Sequence, residues 1–260
     1  SAATRVNAQG LVENVQIISD ELVSNGNFSQ EGSELVTNGD FSNGLTNWYV
    51  DDGTSWTNVN NTAFCDGNNG LIAQNIVSTQ NKVYKVTFDS VATNSSGKEL
   101  GVRIDGGTYS WNLYPTGTHT IYLTAGSSNI EGILFYAING WTGSIDNISV
   151  KEVGQDWTLL NGSISDKYNA SMTAYQSGIK ITPFSKTGKY KAVFDLVVTS
   201  GSCKFDAGGG NDEIYTTSGT KEKLITNPTK FEFNAFNLGW VGTLDNISVK
   251  EITDDTDLPR

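Results

Sequence analysis

A fourteen-residue sequence that occurs twice constrains the fold of this chain more than any other feature. GWTGSIDNISVKEV at 140–153 recurs as GWVGTLDNISVKEI at 239–252, at an offset of 99 residues. Upstream, YKVTFD at 84–89 matches YKAVFD at 190–195 at an offset of 106, so the second copy is 7 residues shorter between these anchors. Self-similarity of this kind is typical of duplicated structural units. The chain therefore contains two copies of one module.

A second, shorter repeat lies ahead of the first module. ELVSNGNFS at 21–29 recurs as ELVTNGDFS at 34–42, at an offset of 13 residues. The second module has no such opening, because its first aromatic anchor, Trp157, follows the closing sequence of the first module almost directly. Both openings therefore precede the first module, although each of the two modules needs one.

The missing opening predicts a nested topology. If 21–29 pairs with the closing strand of the second module, the first module (34–153) is an insertion within the second (21–29 plus 154–252). Residues 1–20 are then an N-terminal segment and 253–260 a C-terminal tail. Without an added strand, the second module would leave backbone groups unpaired. Two alternatives stay open, which are pairing of 21–29 with a neighbouring chain and a duplicate without a partner.

Alternating apolar and polar residues predict β-strands in both modules. Tyr84, Val86 and Phe88 share one face of such a strand, and Tyr190 and Phe194 begin and end the matching run in the second copy. Stretches rich in Gly, Asn and Ser separate these runs at a spacing typical of β-sandwiches. The sequence predicts an all-β chain of two sandwich modules, in tandem or nested, after a short N-terminal segment.

Charge and cysteine content exclude several classes of partner. The chain carries 17 basic and 28 acidic residues, a net charge of −11, without a Lys/Arg cluster that could follow a phosphate backbone. Nucleic acids and anionic membranes are therefore not expected partners, and no apolar run reaches the roughly 18 residues of a membrane span. Cys65 and Cys203 lie in different modules and outside any CxxC pair, which favours two buried free thiols.

The two ends of each module resemble the galactose-binding-like jelly roll, a fold shared by many carbohydrate-binding modules of glycoside hydrolases. The resemblance rests on the opening at 34–42, the Trp that follows it, and the closing IDNISV at 145–150. It covers 34–153 and 154–252 and implies a jelly-roll β-sandwich for each module. The segment ATRVNAQGLVE at 3–13 and the doubled opening are similar to tail-fibre and other structural proteins of bacteriophages.

The jelly-roll resemblance also implies a structural Ca²⁺ that joins the first strand to the last. Its ligands in the family are a carboxylate just after the opening Phe, backbone carbonyls, and an Asp of the closing strand. Asp146 and Asp245 match the closing Asp, and Asp40 offers a carboxylate in one opening, whereas Ser42 and Ser29 occupy the position after Phe. A carboxylate next to a core row needs a partner, which either Ca²⁺ or the N–H groups of a tight turn can supply.

Five residues of the first module form the candidate carbohydrate-binding site. Tyr109, Trp111, Asn112 and Tyr114 fall in a Gly-bounded stretch of that module, and Trp56 is a further aromatic residue confined to it. Aromatic faces stack on the C–H surfaces of sugars, and amide side chains bond their hydroxyls. In a strand, Tyr109 and Trp111 project on the same side. A packed hairpin or an interface patch is the structural alternative.

The sequence contains no complete catalytic motif. His119 is the only histidine, and neither a Gly-Xaa-Ser-Xaa-Gly elbow nor a phosphate-binding loop occurs. We therefore expect a non-enzymatic structural or adhesion protein of a virion or the extracellular space. Its expected partners are a glycan or host-surface polysaccharide, other virion proteins and further copies of itself. The alternatives are a pair of carbohydrate-binding modules from a secreted polysaccharide-degrading enzyme and, third, a hydrolase whose paired carboxylates the sequence does not exclude.

Overall fold

A computed structural model of the chain describes residues 4–6, 12–14, 17–51, 55–94, 99–112, 114–127, 132–160, 162–164, 170–172, 178–181 and 184–252. These residues form β-strands, turns and loops. Within these ranges no helix is long and apolar enough to cross a lipid bilayer. The predicted all-β class is confirmed.

The chain forms two compact units that do not follow each other in sequence order. The nested unit comprises Gln30–Gln155 and Ser163–Asp166. The split unit comprises Ser1–Ser29, Asp156–Gly162 and Lys167–Arg260. The first short opening therefore belongs to the same unit as the second closing sequence. Independent folding of the two predicted modules stays a prediction.

The nested unit is a sandwich of two antiparallel sheets, and a separate hairpin of two short strands precedes it in the chain. The hairpin consists of β1 (Thr4–Val6) and β2 (Val12–Asn14). The strands of the nested unit are β3 (Tyr49–Val50), β4 (Trp56–Val59), β5 (Thr62–Asp66), β6 (Gly70–Gln74), β7 (Val83–Asn94), β8 (Glu99–Ile104), β9 (Ser110–Asn112), β10 (Gly117–Thr124), β11 (Ile133–Ile138) and β12 (Thr142–Val153). One five-stranded sheet has the order β10-β7-β12-β5-β4, and the other has the order β3-β6-β11-β8-β9.

In the described part of the split unit, two long strands dominate the pairing. The remaining strands of the chain are β13 (Thr158–Leu160), β14 (Gly162–Ile164), β15 (Ala170–Met172), β16 (Gly178–Ile181), β17 (Lys189–Asp206), β18 (Glu213–Tyr215), β19 (Gly219–Thr226) and β20 (Phe231–Glu251). β20 pairs with β15, β16 and β17, and β17 also pairs with β18 and β19. By position, β17 corresponds to β7 and β8, and β20 corresponds to β11 and β12.

Two glycines let the long strands β17 and β20 continue through a bend. Gly201 and Gly239 have φ angles of +76° and +90°, and a Cβ on Gly201 would overlap the carbonyl oxygen of Gly239. A residue with a side chain could adopt neither backbone conformation without strain. The ladder between the two strands shifts register at this place, between Gly201 and Cys203.

Aromatic residues form much of the core of each unit. In β7, Tyr84, Val86 and Phe88 are at most 1% exposed, which confirms the predicted alternation. Phe88 contacts Phe135 of the other sheet with ring centroids 5.1 Å apart. Cys65 also lies in this core, and Cys203 lies in the core of the split unit, where burial raises the pKa of its thiol. Both are free thiols, as predicted.

The short openings hold the closing strands through a carboxylate. Glu34 Oε1 accepts a hydrogen bond from Val150 N of β12 at 2.8 Å, and Leu35 N donates to Val150 O at 3.0 Å. In the split unit, Glu21 Oε1 accepts from Val249 N of β20 at 2.7 Å, and an equivalent main-chain bond joins Leu22 N to Val249 O. The two openings thus make the same contacts on two different closing strands.

The Asn-Gly pair of each opening docks onto a β-bulge in the closing strand. β12 shifts register between Asp146 and Ser149, and Asn147 within this bulge has a φ of +51°. Ile148 N donates to Gly39 O at 2.9 Å, and a Cβ on Gly39 would overlap the carbonyl oxygen of Ile148. Only glycine permits so close an approach of the two backbones.

The split unit contains the same contact between its opening and its bulge. Asn246 also has a φ of +51°, and Ile247 N donates to Gly26 O at 2.9 Å. A Cβ on Gly26 would overlap the Ile247 carbonyl oxygen. The NG of the short repeat and the DNIS of the long repeat are therefore two halves of one structural contact.

A tryptophan completes the contact in each unit. Trp48 Nε1 donates to Asn38 O at 3.0 Å, and its ring lies 5.2 Å from that of Phe41. Trp157 Nε1 donates to Asn25 O at 3.1 Å, and its ring lies 5.4 Å from that of Phe28. These tryptophans seal the sandwich where the opening enters it. They occupy the core and are not available to a ligand.

Deletion of residues 1–29 is expected to unfold the split unit while the nested unit stays folded. The deletion removes the partners of the Ile247 and Val249 amides but leaves those of Ile148 and Val150 intact. Hydrogen exchange of β20 and β12 amides, followed by mass spectrometry, measures each unit separately. Native protection of β20 in the truncated chain would show that the opening is dispensable.

Gly26→Val and Gly39→Val are expected to destabilise different units. Each Cβ would overlap a main-chain carbonyl of its own closing strand, and overpacking of this kind costs about 1–3 kcal/mol. Denaturant titration with exchange protection as the readout measures both units, and Ser24→Val serves as an exposed control in the same segment. Equal losses in both units from either variant would contradict this assignment.

Candidate functional site

An aromatic cluster lies on the outer face of the β3-β6-β11-β8-β9 sheet of the nested unit. The ring centroids of Tyr109 and Trp111 are 4.6 Å apart, and Tyr136 lies 6.3 Å and 6.2 Å from them. Trp111 is 40% exposed, and the other two are half-buried. We call these three residues the aromatic face. The structure brings Tyr109 and Trp111 together as predicted, and it adds Tyr136.

Strand register explains the position of these rings. Gly101 of β8 pairs with Trp111 of β9 on one side and with Tyr136 of β11 on the other, so all three residues share one face. A Cβ on Gly101 would come within 2.5 Å of the Trp111 ring. The glycine therefore lets the indole lie across β8 against its backbone, where it approaches Tyr136.

A cationic side chain contacts one ring of the cluster. The guanidinium carbon of Arg103 lies 4.4 Å from the centroid of the Tyr109 ring, within the range of a cation–π contact. Arg103 follows Gly101 by two residues and shares its face of β8. The Tyr109 ring therefore contacts both Arg103 and Trp111.

The spacing of the rings determines where a ligand can lie. Tyr109 and Trp111 are tilted by 32°, and their centroid distance of 4.6 Å leaves no room for a sugar ring between them. A ligand must therefore pack on the exposed side of the cluster. Tyr49 of β3, which is 62% exposed, lies at the opposite edge of the same sheet.

The prediction that Trp56 and Tyr114 bind a ligand is wrong, because both are core residues. Trp56 is 1% exposed, and its Nε1 donates to Gly70 O at 3.1 Å. Tyr114 is 2% exposed, and its hydroxyl lies 2.9 Å from Ser110 Oγ. Burial raises the pKa of the Tyr114 hydroxyl, although the hydrogen bond to Ser110 opposes this shift. The backbone of Asn112 pairs with Leu100, but its side chain lies outside the described part of the chain.

The equivalent face of the split unit has a different chemistry. By strand register, Lys204 replaces Gly101, Ile214 replaces Trp111, and Asn234 replaces Tyr136. In the same way, Asp206 replaces Arg103. Neither Trp111 nor Tyr136 has an aromatic counterpart at its matching position.

Ion pairs cover this second face. Asp206 Oδ2 lies 2.5 Å from Lys230 Nζ and 3.2 Å from Lys204 Nζ, and Lys204 Nζ lies 2.8 Å from Asp212. Burial would raise the pKa of Asp206, but hydrogen bonds from Lys230, Gly208 N and Lys204 outweigh it and hold the pKa well below its usual range. The charges of this face are thus paired with one another.

An acidic group lies beside the bulge of β12, at the place of the predicted calcium ligands. Burial raises the pKa of Asp146, the Asn147 N–H opposes this, and the charges of Asp89 and Asp40 add to the increase. The carboxylate of Asp146 accepts from Asn147 N at 2.7 Å. Strict alternation from Ile148 and Val150 predicts Asp146 in the core row, but the bulge places Ile145 in that row and turns Asp146 away from it.

Two of the carboxylates near the bulge accept hydrogen bonds from the protein itself. Hydrogen bonds from Thr118 and Asn147 lower the pKa of Asp89, and hydrogen bonds from Ser42 lower that of Asp40. These carboxylates therefore already have protein partners. No group of three or more His, Cys, Asp or Glu residues that could hold a metal occurs in the part of the chain that the structure describes. Calcium binding by Asp40, Asp146 and Asp245 stays a prediction.

The single histidine contacts a serine in the nested unit but cannot activate it. His119 Nε2 lies 2.9 Å from Ser90 Oγ and 2.8 Å from the carbonyl oxygen of Pro115. A carbonyl only accepts, so Nε2 carries the proton in this arrangement and is not a base toward Ser90. Ser90 is also 2% exposed, which denies a substrate access to its hydroxyl.

The comparisons with known proteins do not identify a function, so the functional assignment rests on the chemistry of the site. The sequence matches no protein-family model and no curated protein. A tandem pair of family 22 carbohydrate-binding modules from Paenibacillus barcinonensis is 12% identical, covers 86% of this chain and 99% of its own, and has a TM-score of 0.30. A protein of unknown function from Pseudomonas syringae pv. tomato is 10% identical, with 85% and 100% coverage and a TM-score of 0.16. Neither TM-score supports an argument about the ligand.

Asp146→Asn and Asp245→Asn are expected to keep or raise the melting temperature at pH 7. The pKa of each carboxyl is raised mainly by burial, so ionisation at pH 7 opposes folding, whereas an amide oxygen still accepts from the next N–H. Scanning calorimetry in the presence of EDTA measures the effect.

A calcium site would give the opposite result. Both variants would then lower the melting temperature, and excess EDTA would lower that of the wild-type protein. The loss would correspond to about 2.7 kcal/mol for Ca²⁺ at 100-fold above its dissociation constant.

Proposed function

We propose that the nested unit binds a neutral glycan through Tyr109, Trp111 and Tyr136. The observation that carries this proposal is the position of the three rings on an outer sheet face, where they take no part in the core. Aromatic rings present a flat apolar surface to the C–H groups of a sugar ring. Trp111 supplies the largest exposed part of that surface.

The charge of the chain supports a neutral rather than an anionic glycan. The net charge of −11 repels polyanions at long range, and Arg103 is already engaged by the Tyr109 ring. The paired charges of the split unit offer no aromatic surface at the equivalent place. We therefore assign the glycan-binding face to the nested unit and none to the equivalent described positions of the split unit.

The role that best accommodates such a face is adhesion outside the cell or on the surface of a virion. The resemblance of the N-terminal segment and doubled opening to phage structural proteins supports this role. A non-catalytic function agrees with the protonated Nε2 of His119, which leaves Ser90 without a base. Assembly with other virion proteins or further copies of the chain stays a prediction, which light scattering tests.

Binding to immobilised polysaccharides tests the proposal. The panel contains β-1,4-glucan, xylan, mannan and α-glucan as neutral members and polygalacturonan as an acidic one. We expect retention on at least one neutral member, and Trp111→Ala and Tyr136→Ala should each weaken it about tenfold or more, equivalent to roughly 1.4 kcal/mol. Thermal melts must show that both variants stay folded.

A matched control comes from the split unit. Ile214 occupies the position of Trp111 and is 46% exposed, so Ile214→Ala should leave retention unchanged. Trp56→Ala should instead lower stability by about 3–5 kcal/mol, because it empties a core position. Retention that survives Trp111→Ala and Tyr136→Ala would refute the aromatic face as the binding site.

A further inference from the structure

A groove of about 570 Å³ lies at one edge of the nested unit, beside the aromatic face. It is bordered by β9 and β10, which are edge strands of the two sheets. We call it the edge groove. Its lining residues are Gln80, Gly106, Gly107, Thr108, Tyr109, Ser110, Tyr122, Leu123, Thr124, Ala125, Gly126 and Ser127. A groove of this size lies within the range of about 300–1,000 Å³ that is usual for ligand sites.

The floor of the edge groove is built from two loops held tightly together. Gly107 N and Gly126 N both donate to Ile104 O, at 2.8 Å and 3.3 Å. A Cβ on Gly107 would overlap the Thr124 carbonyl oxygen, and a Cβ on Gly126 would overlap the backbone of Gly106. The glycines permit a backbone approach that fixes both loops before any ligand arrives.

The lining of the edge groove is polar but uncharged. Among its described residues, none is Asp, Glu, Lys, Arg or His. Side-chain hydroxyls come from residues 108, 109, 110, 122, 124 and 127, and Gln80 adds an amide. Such groups suit a ligand that both donates and accepts hydrogen bonds and carries no charge. Neutral, hydroxyl-rich sugars have this chemistry, whereas phosphorylated or carboxylated ligands would find no counter-ion among these residues.

The edge groove and the aromatic face share one residue. Tyr109 belongs to both, because its ring stacks near Trp111 while the residue also lines the groove. Ser110, which lies between Tyr109 and Trp111 in the sequence, also lines the groove. A linear ligand seated on Trp111 can therefore reach the groove by passing Tyr109.

We propose that the edge groove is a second subsite for the same glycan, so that the protein recognises a stretch of several sugars in a neutral chain. This inference rests on the proposed function of the aromatic face. It adds that one end of the bound stretch lies against Tyr122 and Gln80. It also predicts that affinity increases with chain length, because a disaccharide on Trp111 leaves the groove empty.

Oligosaccharides of two lengths test the second subsite on the full chain. The probes are cellobiose and cellohexaose, xylobiose and xylohexaose, mannobiose and mannohexaose, and maltose and maltohexaose, measured by isothermal titration calorimetry. Thr124→Trp fills the groove from an exposed position, and Tyr122→Ala removes part of its wall. Thr226→Trp is the control, because Thr226 is the exposed last residue of β19, as Thr124 is of β10.

For the hexasaccharide that the wild type binds, each groove variant should weaken binding by about tenfold or more. Binding of the matching disaccharide and the melting temperature should stay unchanged, and Thr226→Trp should affect neither probe. If Trp111→Ala loses hexasaccharide binding while both groove variants bind the hexasaccharide as tightly as the wild type, the second subsite alone is overturned. Wild-type protein that binds none of the eight probes and no member of the polysaccharide panel would overturn the subsite together with the proposed function.

Discussion

Both sandwiches depend on one backbone contact, in which an opening segment supplies the hydrogen-bond partners that a bulged closing strand lacks. A β-bulge leaves a residue unpaired in its own ladder, and buried main-chain groups need partners. In β12, the Ile148 amide finds Gly39 O and the Val150 amide finds the Glu34 carboxylate. The bond to a charged acceptor is the stronger type. The same contact occurs in both copies, which explains why these short sequences are the most similar parts of the two modules.

The repeats alone were sufficient to predict the all-β class and the two copies, whereas the pairing of 21–29 with the second closing strand was one of three alternatives that they left open. They could not predict the bulge, because a strict alternation places Asp146 in the core row, whereas the positive φ of Asn147 inserts one residue and moves Ile145 there. Nothing in a single sequence distinguishes an Asn in a bulge from an Asn in a regular strand. Asp146 therefore lies beside the core row and not in it, in contrast to the strict alternation.

The candidate site was only partly predictable, for a related reason. Trp56 and Tyr114 have the residue type of a sugar-stacking site, but burial is a tertiary property, and both rings point into the core. Tyr136 was missed because it lies in the continuously apolar run ILFYAI, where alternation is hidden. The feature that marks Tyr136 as a member of the aromatic face is its position in β11, directly opposite Gly101. The same scaffold then diverges in chemistry, since paired charges replace the rings at the matching positions of the split unit.

The distance in sequence between the two halves of each contact has a kinetic consequence. Glu34 and Val150 are 116 residues apart, whereas Glu21 and Val249 are 228 residues apart. Closing a longer loop costs more entropy, and contacts of high sequence separation form late in folding. Once the nested unit has folded, its ends are brought together by the bond between Gly32 N and Glu152 O. This bond shortens the effective loop that the split unit must close. We therefore expect the nested unit to fold first, because its closure leaves a shorter effective loop between residues 21–29 and β20.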